Sequence, residues 1–364
     1  MIDQAALQEL VGFHAARKDA PVLSLYLNVD PRHRTTDEYR LALRHLLDQV
    51  DDQADSQDRA RIEQFVEKEY DRQSRGLMCF SCAAEDFWHA YPLMVPVPDK
   101  AFAGHRPYLK PLGDILDTFA RYGVVLVDKE GAHLFTFHLG TLEDVTGVAG
   151  EDIKRHKRGG WAASRYQRHE DTAAYRNLKE AAEMTAEFVR VGEVERLILG
   201  GTDGNVAQFA GLLPKNVRQS VMGNVSVDIT AGPAEIGEKS MALIREATGE
   251  RKDQLVQRLI TTASKGGPAA LGLANTLVAV DAGRAHHLVL DDNFTAPAYR
   301  CDNCGYVGTE ERTSCPLCSG DIRVLPDAAD SVVRWAIEQD IDLTVVAGNE
   351  PLVEAGSIGA FLRY

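Results

Sequence analysis

Apolar residues recur along this chain in short runs, separated by charged stretches of helical period. VLSLYLNV (22–29) is apolar on both faces and predicts a buried strand. Positions 36–72 are densely charged, with Leu41, Leu43, Leu46, Leu47, Val50, Ile62, Phe65 and Val66 at helical spacing, which predicts one or two amphipathic helices. GLMCFSC (76–82) and HAYPLMV (89–95) read as strands. PVPDKAFAGHRPYLKP (96–111) holds four prolines and little periodicity, so it is expected to be a linker or strap. From 121, YGVVLVDKEGAHLFTFHLG predicts a hairpin around Lys-Glu-Gly. A long helical pattern covers 171–191, RLILGG (196–201) is a short strand, and helix and strand signals alternate to about 262.

KGGPAALG (265–272) reads as a helix start with Pro268 in the first turn. Strand HHLVLDD (286–292), helix DAADSVVRWAIEQ (327–339), strand DLTVVAG (342–348) and strand SIGAFLRY (357–364) follow. Strands alternating with helices predict an α/β fold. We expect three domains: a divergent N-terminal α/β domain over 1–120, a middle domain over 121–262 and a third over 263–364. A length of 364 residues suits that number.

Charge sharpens the picture. Lys plus Arg number 40 and Asp plus Glu 54, a formal net charge of -14. Such a chain is unsuited to holding nucleic acid over its whole surface, and DNA is not an expected partner; a local basic patch for RNA remains open. No apolar run approaches the ~18 residues a membrane span needs. MIDQAALQEL lacks the basic and apolar regions of a secretory signal, so a cytoplasmic location is expected, with no membrane partner.

One segment runs against the overall charge. In EDIKRHKRGGWAASRYQRHED (151–171), Lys154, Arg155, Lys157, Arg158, Arg165 and Arg168 are positive, and no acid lies between Asp152 and Glu170. Gly159 and Gly160 permit close backbone approach to another surface. Arg and Lys bind phosphate, and Trp161 and Tyr166 offer faces for stacking on bases. His156 and His169 add charge when protonated. A solvated surface loop is the plain alternative; an arm that inserts among RNA phosphates is the functional one. Asp152, Glu170 and Asp171 are expected to flank a helix starting near Thr172 rather than to act as paired carboxylates.

The cysteines are grouped. YRCDNCGYVGTEERTSCPLCSGDIRV gives Cys301-x2-Cys304, ten residues, then Cys315-x2-Cys318. Each pair forms a knuckle that points two thiolates at one ion, and four thiolates complete a tetrahedron without an open position. One structural zinc is expected, in a ribbon over 299–323; rubredoxin-type iron or disulfides are the alternatives. Cys79 and Cys82 lie three apart in a strand, facing opposite sides, and read as buried thiols, with a redox pair as the alternative. His286-His287 is read likewise, one inward and one outward. LGGTDGN (199–205) lacks dinucleotide-fold and P-loop spacing and reads as a tight strand-to-helix connection.

RHKRGGWAASRYQRH resembles the tip loop of the middle domain in the archaeal and eukaryotic class-I peptide chain release factors, where a basic run leads into Gly-Gly-Gln. YGVVLVDKEGAHLF resembles that family's opening middle-domain hairpin, RLILGGTDG the strand after its long helix, GLANTLVAVDAGRAHHLVLDDN the start of its third domain, and SIGAFLRY its closing strand. The pieces occur in order over 121–364. The resemblance implies a three-domain release-factor or Pelota-like architecture with a zinc-ribbon insertion in the third domain. It implies a ribosome-binding factor whose loop residues Lys154, Arg155, His156, Lys157, Arg158, Trp161, Arg165, Tyr166 and Arg168 touch rRNA or tRNA.

Trp161 stands where the release factors place the glutamine that positions water for peptidyl-tRNA hydrolysis. Trp has one N–H donor and no acceptor, so it does not replace a side-chain amide. Residues 1–120 carry none of the family's codon-reading motifs. Pelota-like rescue factors lack the Gly-Gly-Gln loop, and the hibernation factor Balon binds the ribosomal A site without terminating. The resemblance thus points to rescue or hibernation rather than stop-codon termination, with a translational GTPase as a further partner. Two alternatives stay open: a peptidyl-tRNA hydrolase with water oriented by the Gly159-Gly160-Trp161 backbone, and a non-ribosomal RNA-binding or interaction protein.

Overall fold

In the computed structural model, residues 2–17, 20–149, 163–192, 194–325, 327–339 and 341–364 are described, and the side chains of 148, 149 and 163–171 lie outside that description. Two compact units result, one built from 1–117 and 249–364 and the other from 118–248.

The first unit begins with α1 (Gln4–Gly12), β1 (Val22–Asn28), α2 (Thr36–Gln49), α3 (Ser56–Gln64), β2 (Gly76–Cys82), β3 (Phe87–Leu93), β4 (Lys100–Gly104) and α4 (Lys110–Thr118). A π-helical turn, Phe65–Glu69, extends α3. The sheet runs β3-β2-β1-β4, all antiparallel. β1 is apolar on both faces because it is central, and Leu23, Leu25 and Leu27 meet Leu43 and Leu47 of α2 and Ile62 of α3. Thr35 and Glu38 form a capping box that sets the start of α2.

The expected strap over 96–111 is corrected in part: Lys100–Gly104 is a strand paired with β1. The four prolines at 96, 98, 107 and 111 fall outside it, and an edge strand tolerates such flanks.

The second unit holds β5 (Tyr122–Val127), β6 (Gly131–His138), β7 (Thr141–Ala149), α5 (Ala163–Val191), β8 (Arg196–Gly201), α6 (Asp203–Leu212), α7 (Lys215–Gln219), β9 (Val221–Val225) and the first part of α8 (Pro233–Ser264). Its sheet order is β7-β6-β5-β8-β9, with β5–β8 and β8–β9 parallel. Leu178, Ala181 and Phe209 pack on Val125, Leu197 and Leu199 of one face. Ile236 and Ile244 of α8 pack on Tyr122, Val124 and Ile198 of the other. Strands covered on both sides explain the unbroken apolar runs.

α5 starts at Ala163, earlier than the expected start near Thr172, so Glu170 and Asp171 lie inside the helix. Nothing between Ala163 and Thr172 is Gly or Pro, and extending an existing helix needs no new nucleus. Gly201, at φ 137°, turns the chain from β8 toward α6, and a Cβ there would overlap the Val127 carbonyl oxygen.

The first unit is completed by β10 (Ala269–Leu271), α9 (Leu273–Asp281), β11 (Ala285–Asp291), β12 (Ala298–Cys301), β13 (Val307–Gly308), β14 (Ile322–Leu325), α10 (Ala328–Glu338), β15 (Asp342–Val346), α11 (Glu350–Glu354) and β16 (Ile358–Leu362). One sheet runs β10-β16-β11-β15 and a small one runs β13-β12-β14. The helix start expected at 265–272 is corrected: Ala269–Leu271 pairs with β16, and the helix begins only after Gly272, at φ 77°. Ladder bonds to a partner 90 residues away outweigh the local proline signal.

Within this unit the two chain segments are fastened by charge. Arg251 and Lys252 of α8 bind Asp114 and Asp117 of α4 at 2.6–3.4 Å. Lys110 Nζ donates to the Phe294 carbonyl at 2.5 Å. Gly113 lies against Leu343 and Val333.

Candidate functional site

The candidate metal centre is built from two near-copies of one turn. Cys301 ends β12; the Asn303 N–H donates to its sulfur at 3.4 Å, and the Gly305 N–H to its carbonyl at 3.1 Å. Fourteen residues on, the Leu317 N–H donates to the Cys315 sulfur at 3.4 Å, and the Ser319 N–H to its carbonyl at 2.9 Å. The fifth residue of each turn is left-handed, Gly305 at φ 79° and Ser319 at φ 60°. The turns face each other, with Cys301–Cys318 and Cys304–Cys315 sulfurs 3.5 Å apart. All four sulfurs lie within 4.8 Å of one another.

A Zn–S bond of ~2.3 Å in a tetrahedron implies sulfurs roughly 3.8 Å apart, so the set fits such an ion. The Cys318 thiol is lowered to about 6, first by the Gly320 backbone N–H, while Cys304 is pushed up to about 12 by its sulfur neighbours despite the Tyr306 N–H. A cation among them would favour thiolate throughout. A Cβ on Gly320 would come 2.9 Å from the Asn303 Cβ and 3.2 Å from the Cys301 sulfur, so a larger residue there would shift the turn. Four protein ligands would leave no position for a substrate water, so an ion held here would be structural.

The other expected site residues fare differently. Lys154, Arg155, His156, Lys157, Arg158, Gly159, Gly160 and Trp161 lie outside the described residues. Arg165, Tyr166 and Arg168 fall on α5, with their side chains outside the description. Cys79 and Cys82 are both buried; burial raises both thiols, and the Cys82 thiol donates to the Ala20 carbonyl. His286 is exposed and His287 half-buried, with its ring nitrogen 3.0 Å from the Thr344 hydroxyl. Burial lowers the His287 pKa, and the pair converges on no shared ligand.

The arginines beside the four cysteines carry no sequence motif. Arg300 and Arg323 are 23 positions apart and become neighbours only through strand register.

Residues 107–245 match the model of the bacterial archaeo-eukaryotic release factor family 10. Over 285 residues the chain is 22% identical to peptide chain release factor subunit 1 of Thermococcus kodakarensis, covering 70% of this chain and 69% of that protein. It is 26% identical over 315 residues to the protein of the same name from Methanococcus maripaludis, covering 75% and 74%. The crystal structure of Archaeoglobus fulgidus Pelota aligns over 97% of this chain and 98% of its own, at 14% identity and TM-score 0.37. The resemblance to archaeal and eukaryotic release factors read from the motifs is thereby borne out. Among the described residues, no helix is long and apolar enough to cross a membrane.

Proposed function

We propose that this chain is a ribosome-binding translation factor that works in the A site, in rescue or hibernation rather than in stop-codon termination. The likeness to proteins named peptide chain release factor subunit 1 supports the ribosome as partner. The observation that carries the rest is Trp161 following Gly159-Gly160, within a basic run in an acidic chain. Lys154, Arg155, Lys157, Arg158, Arg165 and Arg168 contact rRNA or tRNA phosphates, and Trp161 stacks on a base. A translational GTPase is a further partner, and the cytoplasm is where the factor acts. One zinc held by Cys301, Cys304, Cys315 and Cys318 keeps the ribbon folded and takes no part in chemistry.

The test is ribosome pelleting of the intact chain beside a variant with Lys154, Arg155, Lys157 and Arg158 changed to Glu, over a range of salt. Steep loss of binding and a flatter salt dependence are expected, because fewer counterions are released. Unchanged pelleting would refute the role of the basic run. Robust peptide release by the wild-type chain on ribosomes with a stop codon would overturn the non-terminator reading.

A further inference from the structure

Arg300 of β12 and Arg323 of β14 are direct partners in the antiparallel ribbon. The residue on the other side of Arg300 is Val307 of β13, so no acid enters this row. Like charges opposed across a ladder are unfavourable, and a chain with 54 acids could have placed one there. Arg106 is half-buried, and burial, then the charges of Arg334, Arg323 and Arg300, push its ionisation down. Arg334 is already engaged, donating to the carbonyls of Leu10, Val11 and Pro107.

Two acids offset the cluster in part. Asp302 holds Arg323 Nε at 2.9 Å, with both side chains about half exposed. Glu338 attracts Arg106 through space. The Arg300 guanidinium lies 5.9 Å from the ring centre of Trp335, itself half-buried on α10. A guanidinium over an indole face keeps its in-plane N–H donors for a ligand.

We propose that Arg300 and Arg323, beside the Trp335 face, form a docking site for the phosphate backbone of RNA on the flank of the ribbon. Both arginines are part-exposed and stand on neighbouring strands. That spread suits successive phosphates of a chain rather than one enclosed anion. The site uses described residues of the first unit and does not depend on the basic run 154–168.

Labelled single-stranded RNA of mixed sequence, read by fluorescence anisotropy at several salt concentrations, is the probe. The background is the full chain carrying K154Q, R155Q, K157Q and R158Q, so that binding outside that run is measured. Adding R300Q and R323Q is expected to weaken RNA binding at least about fivefold and to reduce the salt slope by about 1–2. Tm should change little, because relief of the opposed charges offsets loss of the exposed Asp302 pair, and zinc content should not change. Unchanged affinity and slope, or no RNA binding by the background chain, overturns the proposal. So does a joint fall of Tm, zinc content and affinity, which would make the pair structural. Inorganic phosphate raising Tm while RNA binding ignores R300Q and R323Q would assign a small-anion site and overturn the RNA assignment. Ribosome pelleting of the loop variant reads the earlier proposal separately.

Discussion

Asp330 and Arg334 lie one turn apart on α10, Arg334 buried and Asp330 mostly so, with carboxylate and guanidinium 3.7 Å apart, and each reaches the N-terminal segment. Asp330 Oδ1 accepts the backbone N–H groups of Leu109 at 2.6 Å and Lys110 at 3.2 Å. Arg334 donates to Leu10 at 3.3 Å, to Val11, and to Pro107 at 2.7 Å. One helix turn thus satisfies backbone groups of both α1 and the approach to α4.

Burial pushes the Asp330 carboxyl up to about 6, against the charge of Arg334 and the two N–H donors. An unfolded carboxylate titrates near ~4. Below that value both states hold the proton; between it and about 6 only the folded state does. This contribution to stability is therefore present at the acid end and lost as pH rises through that window. Asp330→Asn should remove that slope, seen as the difference between wild-type and variant urea midpoints at several pH values. Parallel profiles would sink the assignment.

Arg334→Met removes the donors to three buried carbonyls and leaves Asp330 without its cation. A loss of ~3–5 kcal/mol is expected, the usual cost of removing one partner of a buried pair. Urea unfolding followed by the fluorescence of Trp88 and Trp335 reads the first unit, because both lie in it.

The ribbon should depend on its metal. Elemental analysis of freshly purified protein is expected to find about one zinc per chain. Cys304→Ser should lose it and expose 299–323 to protease, while the second unit keeps its melting behaviour, since such modules draw folding energy from the ion. Zinc-free wild-type protein with an intact ribbon contradicts this.

Trp161→Ala should weaken ribosome binding about tenfold, near the ~1–3 kcal/mol of one stacked base, without lowering Tm. A lower Tm with normal affinity would instead place the indole in the core of its own domain.

Gly201→Ala should destabilise the second unit by about 2–4 kcal/mol, since both the positive φ and the Val127 carbonyl oppose a Cβ. Wild-type-like unfolding would contradict the geometry of this turn.

The strands readable beforehand are those whose pattern is local. β1, β2, β8 and the β5–β6 hairpin are continuous or alternating apolar runs, and the cysteine spacing carries the metal centre without help from the fold. β4 and β10 were hidden by nearby prolines and glycines, because their pairing energy comes from β1 and β16. The start of α5 was obscured by charge: Arg165, Arg168 and Glu170 look like loop residues, yet none breaks a helix. Arg300 opposite Arg323 depends on how the turns between β12 and β14 set the register, and no short window of sequence holds that.

The division of the chain also has a kinetic side. The carbonyls of Leu10 and Val11 wait for a guanidinium made more than 320 residues later. At ~5–20 residues per second of synthesis, that interval is roughly 15–65 s. The unit 118–248 is complete well before then, whereas the sheet of β1 to β4 spends the interval without α10. Chains stalled near residue 250 should therefore be protease-sensitive at α1 and at the approach to α4, whose backbone partners are still missing, while the core that α2 and α3 build on β1 is already closed.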